Sequence, residues 1–292
     1  MNKQTKVWLV LSIALSLLVI GSSCGGNKNE TPGTNTNGGA TASEKWTGAT
    51  GTISGVISFE GTPPAPKKID TAADPVCGQK NPNLMTDDTV VKDGKLANVF
   101  VYVKEGTVEG GKKFADYTWD VPSAPLKLDQ NGCHYVPHVM GVMVNQKIQI
   151  TNSDATQHNI HWTPKNNPEW NQSQPNGAPP IEKTFARSEI LVPVKCNQHP
   201  WMRSYIGVLK HPMFDVSKDT GAYEIKGVPP GKYTVVAWRE GGAPEKTMEV
   251  TVTANGSAKA DFSFGGAPAT ASTAPSSLQV MPAIEFPMLG KH

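Results

Sequence analysis

Short runs of Val, Ile, Thr and aromatic residues, broken by turn residues, recur from Gly51 to Phe264, and no stretch sustains a helical repeat. Residues 51–60 (GTISGVISFE) set Ile53, Ile57 and Phe59 against Ser54 and Ser58, the two-residue period of a half-buried strand. Residues 97–104 (ANVFVYVK) are apolar on both faces and predict a buried strand. Further strands are expected at 139–151, 157–163, 188–196, 204–210, 221–226, 232–239, 247–253 and 258–264. Pro229-Pro230-Gly231 and Asn255-Gly256 supply turns between them. With 28 glycines and 24 prolines as punctuation, the chain reads as all-β and predicts two sandwich-like units.

The start of the chain carries a different signal. Lys3 and Lys6 precede an apolar run from Val7 to Ile20, followed by Gly21-Ser22-Ser23-Cys24. A charged start, a short apolar core and small residues form a secretory signal. The run is too short to span a bilayer comfortably. The small residues before Cys24 resemble the lipobox of bacterial lipoproteins. That resemblance implies that Cys24 becomes the acylated first residue and ties the protein to a membrane, in the periplasm or at the cell surface. Residues 1–24 are thus signal and anchor, and residues 25–48, rich in Gly, Asn, Thr and Ser, predict a flexible tether. Residues 266–292 form a low-complexity linker with an apolar tail.

Charge narrows the partners. The 27 basic and 25 acidic residues leave a net charge of +2, with no Lys/Arg run, so nucleic acid is not expected. No general base, activated nucleophile or open metal position is evident, so neither an enzyme nor a small-molecule substrate is expected.

The segment K-C-N-Q-H-P-W-M-R, residues 195–203, places a thiol at Cys196, an imidazole at His199 and a thioether at Met202. These are ligands that copper prefers. Ile190, Val192, Val194 and Cys196 alternate along the strand leading in, so Cys196 is expected to point inward at its end. A trigonal site needs a second histidine from another strand. His158 and His161 both follow the run KIQIT at 147–151. Three residues apart on a strand, they face opposite sides, so only one of them can be inward. Cys77 and Cys133 remain. In an exported protein they are expected to pair as a disulfide. The alternative is a second metal site, since His134 and His138 lie close to Cys133.

These segments resemble the cupredoxins, the small blue copper proteins such as plastocyanin, pseudoazurin and amicyanin. In that family a strand of the type V-x-F-x-N-x-D leads to a first histidine, and a later loop supplies Cys, His and Met. The two-residue gaps in C-N-Q-H-P-W-M match the amicyanin spacing. The resemblance covers about residues 128–214 and implies one type 1 copper ion held by His158, Cys196, His199 and the axial Met202. It implies that Asn159 braces the loops, and that Pro200 and Trp201 belong to an apolar docking surface around the His199 edge. Pro193 suggests an edge or bulge in the strand before Cys196.

The stretch GAYEIKGVPPGKYTVVAW (221–238) resembles the carboxypeptidase regulatory-like domain, a transthyretin-like sandwich, whose opening strand resembles residues 51–61. The expected organisation is a sandwich from residues 50–105 plus 215–265 with the cupredoxin inserted. The whole is similar to exported methylamine-utilisation or plastocyanin-like proteins. It implies an extracytoplasmic one-electron carrier serving a redox protein partner. Two alternatives are a periplasmic copper chaperone or storage protein, and a β-sandwich interaction module without metal.

Overall fold

The computed structural model describes residues 44–265. The signal segment, Cys24, most of the tether and the apolar tail lie outside them. The described chain is all-β apart from a six-residue helix, Pro75–Lys80, and one 3-10 turn at Phe114–Asp116.

Two sandwiches account for the strands. In the first, one sheet runs in the order Phe214–Val216, Phe100–Val108, Gly231–Trp238, Lys246–Val252. Its facing sheet is built on Gly51–Glu60, paired antiparallel with Ala222–Val228 and parallel with Ser257–Lys259 and Phe262–Gly265. Every odd residue from Gly51 to Phe59 is buried and the even ones are half-exposed, as a two-residue period requires. The core includes Ile53, Ile57, Val99, Val101, Tyr223, Val235 and Phe262, drawn from both ends of the described chain.

The second sandwich pairs a four-stranded sheet with a five-stranded one. The first orders Ile181–Lys183, Ile148–Asn152, Leu126–Gln130 and Tyr135–Val136. The second orders Trp170–Gln174, His158–Trp162, Glu189–Lys195, Arg203–Leu209 and Val139–Met143. Leu128, Ile150, Trp162, Phe185, Val192 and Ile206 fill the space between them. Cys77 and Leu84 join this core, so the segment that leaves the first sandwich after Glu60 crosses over and covers the second.

A third apolar cluster seams the two units. Phe100, Tyr102 and Val236 come from the first, and Val139, Leu191 and Leu209 from the second. Gly141 and Gly207 are direct register partners, and a Cβ on either would collide with the Phe100 ring.

Several sequence expectations change. The run 139–151 divides at a turn where Asn145 has φ 65°, and 258–264 divides into two short strands. Leu126–Gln130 and Trp170–Gln174 were not foreseen, because LKLDQ and WNQSQ carry few apolar residues. The last residues assigned to the tether are ordered: Glu44–Lys45 pairs with Tyr117–Thr118, and Trp46 packs on the first core. Ile190 is exposed rather than aligned with Cys196, because a bulge between Glu189 and Val192, with Leu191 at φ 58°, shifts the register. The strand holding Pro193 is central, not an edge; the bulge two residues away accommodates the missing N–H.

Candidate metal centre

His158 opens the strand His158–Trp162, and Cys196 follows the end of Glu189–Lys195. These strands are hydrogen-bonded neighbours, so the two residues meet at one end of the five-stranded sheet. The loop after Cys196 turns back at once. The Met202 amide donates to the His199 carbonyl at 2.9 Å, and the Cys196 amide donates to the Met202 carbonyl at 3.2 Å. The next strand, Arg203–Leu209, then pairs with the one just left.

The loop brings His199 onto His158. Their Nδ1 atoms are 2.8 Å apart, and His199 Nδ1 is 3.7 Å from Cys196 Sγ. Ligand atoms of His158, Cys196 and His199 all lie within 4.8 Å of one another. The three are buried, at 0 %, 2 % and 4 % exposure, and Met202, at 0 %, belongs to the same core. His161 points the other way, to Glu169 and Asn197.

Each histidine turns its outer nitrogen to a carboxylate. His158 Nε2 meets Asp154 Oδ2 at 2.9 Å, and His199 Nε2 meets Asp74 Oδ2 at 2.8 Å. Asp154 also accepts from the Gly132 and Cys133 amides and from Lys80. Asp74 caps the helix Pro75–Lys80, accepting from the Val76 and Cys77 amides, and takes the Thr156 hydroxyl at 2.8 Å. Burial opposes ionisation of both carboxylates, and these bonds outweigh it, holding both below the usual range.

This arrangement fits a metal ion. If both Nε2 atoms donate to carboxylates, both Nδ1 atoms present lone pairs to each other and to the sulfur, and a cation between them satisfies all three. At metal–nitrogen and metal–sulfur bonds of about 2.0 and 2.3 Å, a trigonal angle separates N from S by about 3.7 Å, the spacing of His199 Nδ1 from Cys196 Sγ, and N from N by about 3.5 Å, so the two rings would part from 2.8 Å to admit an ion. Before an ion binds, burial pushes the Cys196 thiol up, but protonated His158 and His199 donate to it and bring it down to about 6, so the thiolate is ready as a ligand once those protons leave. Both imidazoles are held above the ordinary histidine value: burial lowers them, and their carboxylates and the Cys196 thiolate raise them further.

Asn159 braces the site from both sides. Its amide N–H points at Cys196 Sγ at 3.5 Å, its Oδ1 accepts from the Asn197 amide, and its Nδ2 donates to Asn171 at 2.6 Å. Cys77 and Cys133 are joined as a disulfide. The Cys77 sulfur lies 3.8 Å from His199 Nε2, and the Cys133 sulfur belongs to a close group with Asp154 and His158. His134 and His138 face Asp87 instead, at 3.3 and 3.2 Å.

The surface around His199 differs from expectation. Pro200 is exposed, but Trp201 is half-buried, its ring 5.1 Å from that of His199 and its Nε1 donating to the Cys133 carbonyl. The His199 edge meets Asp74 and the disulfide, and with Asp74 and Gln198 it lines a surface cavity. His211 is buried against the Phe114 ring, with a centroid distance of 4.8 Å.

Sequence reasoning missed the two carboxylates. Asp154 had a local signal, four residues before His158. Asp74 had only the helix-start pattern Asp-Pro, which says nothing about its other partner.

The family model described as polysaccharide lyase family 4, domain II, matches residues 213–260, which overlap most of the second half, 215–265, of the region read as carboxypeptidase regulatory-like. No curated protein matches the chain. A copper-containing nitrite reductase from Thermus scotoductus SA-01 is 17 % identical over 35 % of this chain, which spans 25 % of that enzyme's length, at a TM-score of 0.27. The reduced Cu(I) form of a point mutant of amicyanin is 22 % identical over 30 % of this chain and 86 % of its own, at a TM-score of 0.26. A purple cupredoxin from Nitrosopumilus maritimus is 20 % identical over 28 % of this chain and 98 % of its own, at a TM-score of 0.25.

Proposed function

We propose that the protein is an extracytoplasmic electron carrier holding one copper ion in a type 1 cupredoxin site, anchored to a membrane through Cys24. The observation that carries the reading is the buried convergence of His158 Nδ1, Cys196 Sγ and His199 Nδ1 from two neighbouring strands and the loop that follows the second. His158, Cys196 and His199 would hold the ion, with Met202 of the same loop as a fourth donor. When bound there, copper supplies a one-electron Cu(II)/Cu(I) couple.

The chain's own work is to keep that geometry unchanged between the two states. Asp154 and Asp74 fix the ring orientations and keep the outer nitrogens protonated. The Asn159 amide directs a proton at the sulfur and so tempers its charge. Trp162, Phe185 and the core beneath exclude water. Burial of every donor favours a retained metal over one handed on, which sets this reading above a chaperone or storage protein.

The test is copper content and the visible spectrum of the purified full-length protein beside Cys196→Ser. The expected result is one copper per chain and an intense thiolate-to-copper absorption that Cys196→Ser abolishes with the fold intact. A protein that holds no stoichiometric copper, or whose colour survives loss of Cys196, contradicts the reading.

A further inference from the structure

His199 and Asp74 line one surface cavity of about 270 Å³, and Cys196 lines another that shares no wall residue with it. We propose, building on the copper reading, that electrons leave beside Cys196 through a cationic port formed by Lys195 and Arg203, and that this port receives an anionic partner surface. The cavity measures about 430 Å³, and Lys195, Asn197, Pro200, Arg203 and Tyr205 share its walls with Cys196.

The charge pattern there is unusual for a sheet. Lys195 immediately precedes Cys196 and Arg203 immediately follows Met202, so the two cations bracket the ligand loop. They are also direct cross-strand partners, and His161 stands opposite Lys195 on the other side, which aligns three basic residues across three strands. Like charges directly opposite each other destabilise a sheet, by up to about 1 kcal/mol per pair. A stability-driven arrangement would answer them with acids. Among the described residues, no carboxylate lies within 4.0 Å of Lys195 or Arg203, and both side chains are exposed. Most acids nearby are already committed, the exception being exposed Asp88 on a neighbouring cavity wall that Arg203 also lines. Glu169 holds His161, Glu240 holds His138 and Tyr205, and Asp87 sits between His134 and His138. Lys195 and Arg203 therefore face the cavity without an ion-pair partner, and Lys195 lies one residue from the metal-binding sulfur. Such a field steers anions toward the surface and falls with ionic strength. Lys195 is joined to Cys196 by the backbone, so a partner seated on the port lies on the shortest covalent route from the thiolate outward.

The probe is hexacyanoferrate(III), a compact anion. Mixed with reduced, copper-loaded, full-length protein, it gains the one electron that the protein loses and becomes hexacyanoferrate(II). Oxidation should slow as salt is added. The Lys195→Gln/Arg203→Gln variant should react about tenfold or more slowly, within the range of electrostatic steering, with a flattened salt dependence. Oxidation by the cation tris(phenanthroline)cobalt(III) should not slow. A copper-independent reading uses metal-free protein and hexacyanocobaltate(III), which is redox-inert. It should shift the amide resonances of Lys195, Asn197 and Arg203, and the shifts should vanish in the double variant. Wild-type protein that holds copper but oxidises at equal rates with and without the two cations overturns the port alone. Wild-type protein that holds no copper overturns the carrier reading, and the port with it.

Discussion

The carboxylates behind the two histidines come from very different distances along the chain. Asp154 is four residues from His158, whereas Asp74 is 125 residues from His199 and arrives on the segment that crosses from the other sandwich. A negative charge on the imidazole stabilises the more positive, oxidised state of a metal bound to that ring. Asp74→Asn keeps a helix-capping side chain and removes the charge. The expected outcome is a shift of the oxidised–reduced equilibrium toward the reduced protein by about tenfold, or about 59 mV for a one-electron couple, in a potentiometric titration. An unchanged potential would show that Asp74 only supports the fold. The donors themselves were legible in the sequence because Cys196, His199 and Met202 share one short loop, and because strand parity separates His158 from His161. Asp74 was not, because nothing in a linear sequence reports which distant loop will lie across an imidazole.

At the level of strands, the seam between the sandwiches depends on two glycines. Gly141 and Gly207 face each other in adjacent parallel strands and form the floor on which the Phe100 ring lies. Gly207→Ala should therefore destabilise the protein by about 1–3 kcal/mol through overpacking, seen as a lowered urea midpoint. Adding Phe100→Leu should recover part of the loss, and if the two changes prove simply additive the contact does not carry the seam. The strands with strong alternation, such as Gly51–Glu60, were plain from sequence. Those that escaped are short or polar, and the chain forms them because neighbouring strands supply the ladder. Pro193 signalled an edge or a bulge in the strand before Cys196, but not the bulge's place: nothing in the run EILVPVK marks a left-handed leucine.

Across the whole molecule, two buried histidines link the units and titrate in opposite directions. His138 bonds Glu240 of the first sandwich and faces Asp87 of the crossing segment; burial lowers its pKa, but these carboxylates outweigh it and bring it up to about 9. His211 is driven down to about 4 by burial beside Phe114. The folded protein keeps a proton on His138 that the unfolded chain releases above pH 6.5, so that stability is complete below 6.5 and is lost as pH rises toward 9. The folded protein refuses a proton on His211 that the unfolded chain accepts below 6.5, so stability is lost as pH falls toward 4. Each limb amounts to roughly 3 kcal/mol. Urea unfolding across this range should show that His138→Gln flattens the alkaline limb and His211→Asn the acid limb. Limbs that survive both substitutions would place the pH dependence elsewhere. Residues 51–61 and 221–238 read from sequence as parts of one module around a second, and nothing in that reading reported that residues between Glu60 and Phe100 pack on the second core.

Everything above turns on a single metal ion among three donors. The most direct measurement is an anomalous difference map at the copper absorption edge from crystals of the copper-loaded protein. One peak should appear per chain, within bonding distance of His158 Nδ1, Cys196 Sγ and His199 Nδ1. A peak elsewhere, or none in crystals of protein that retains its fold, would contradict it.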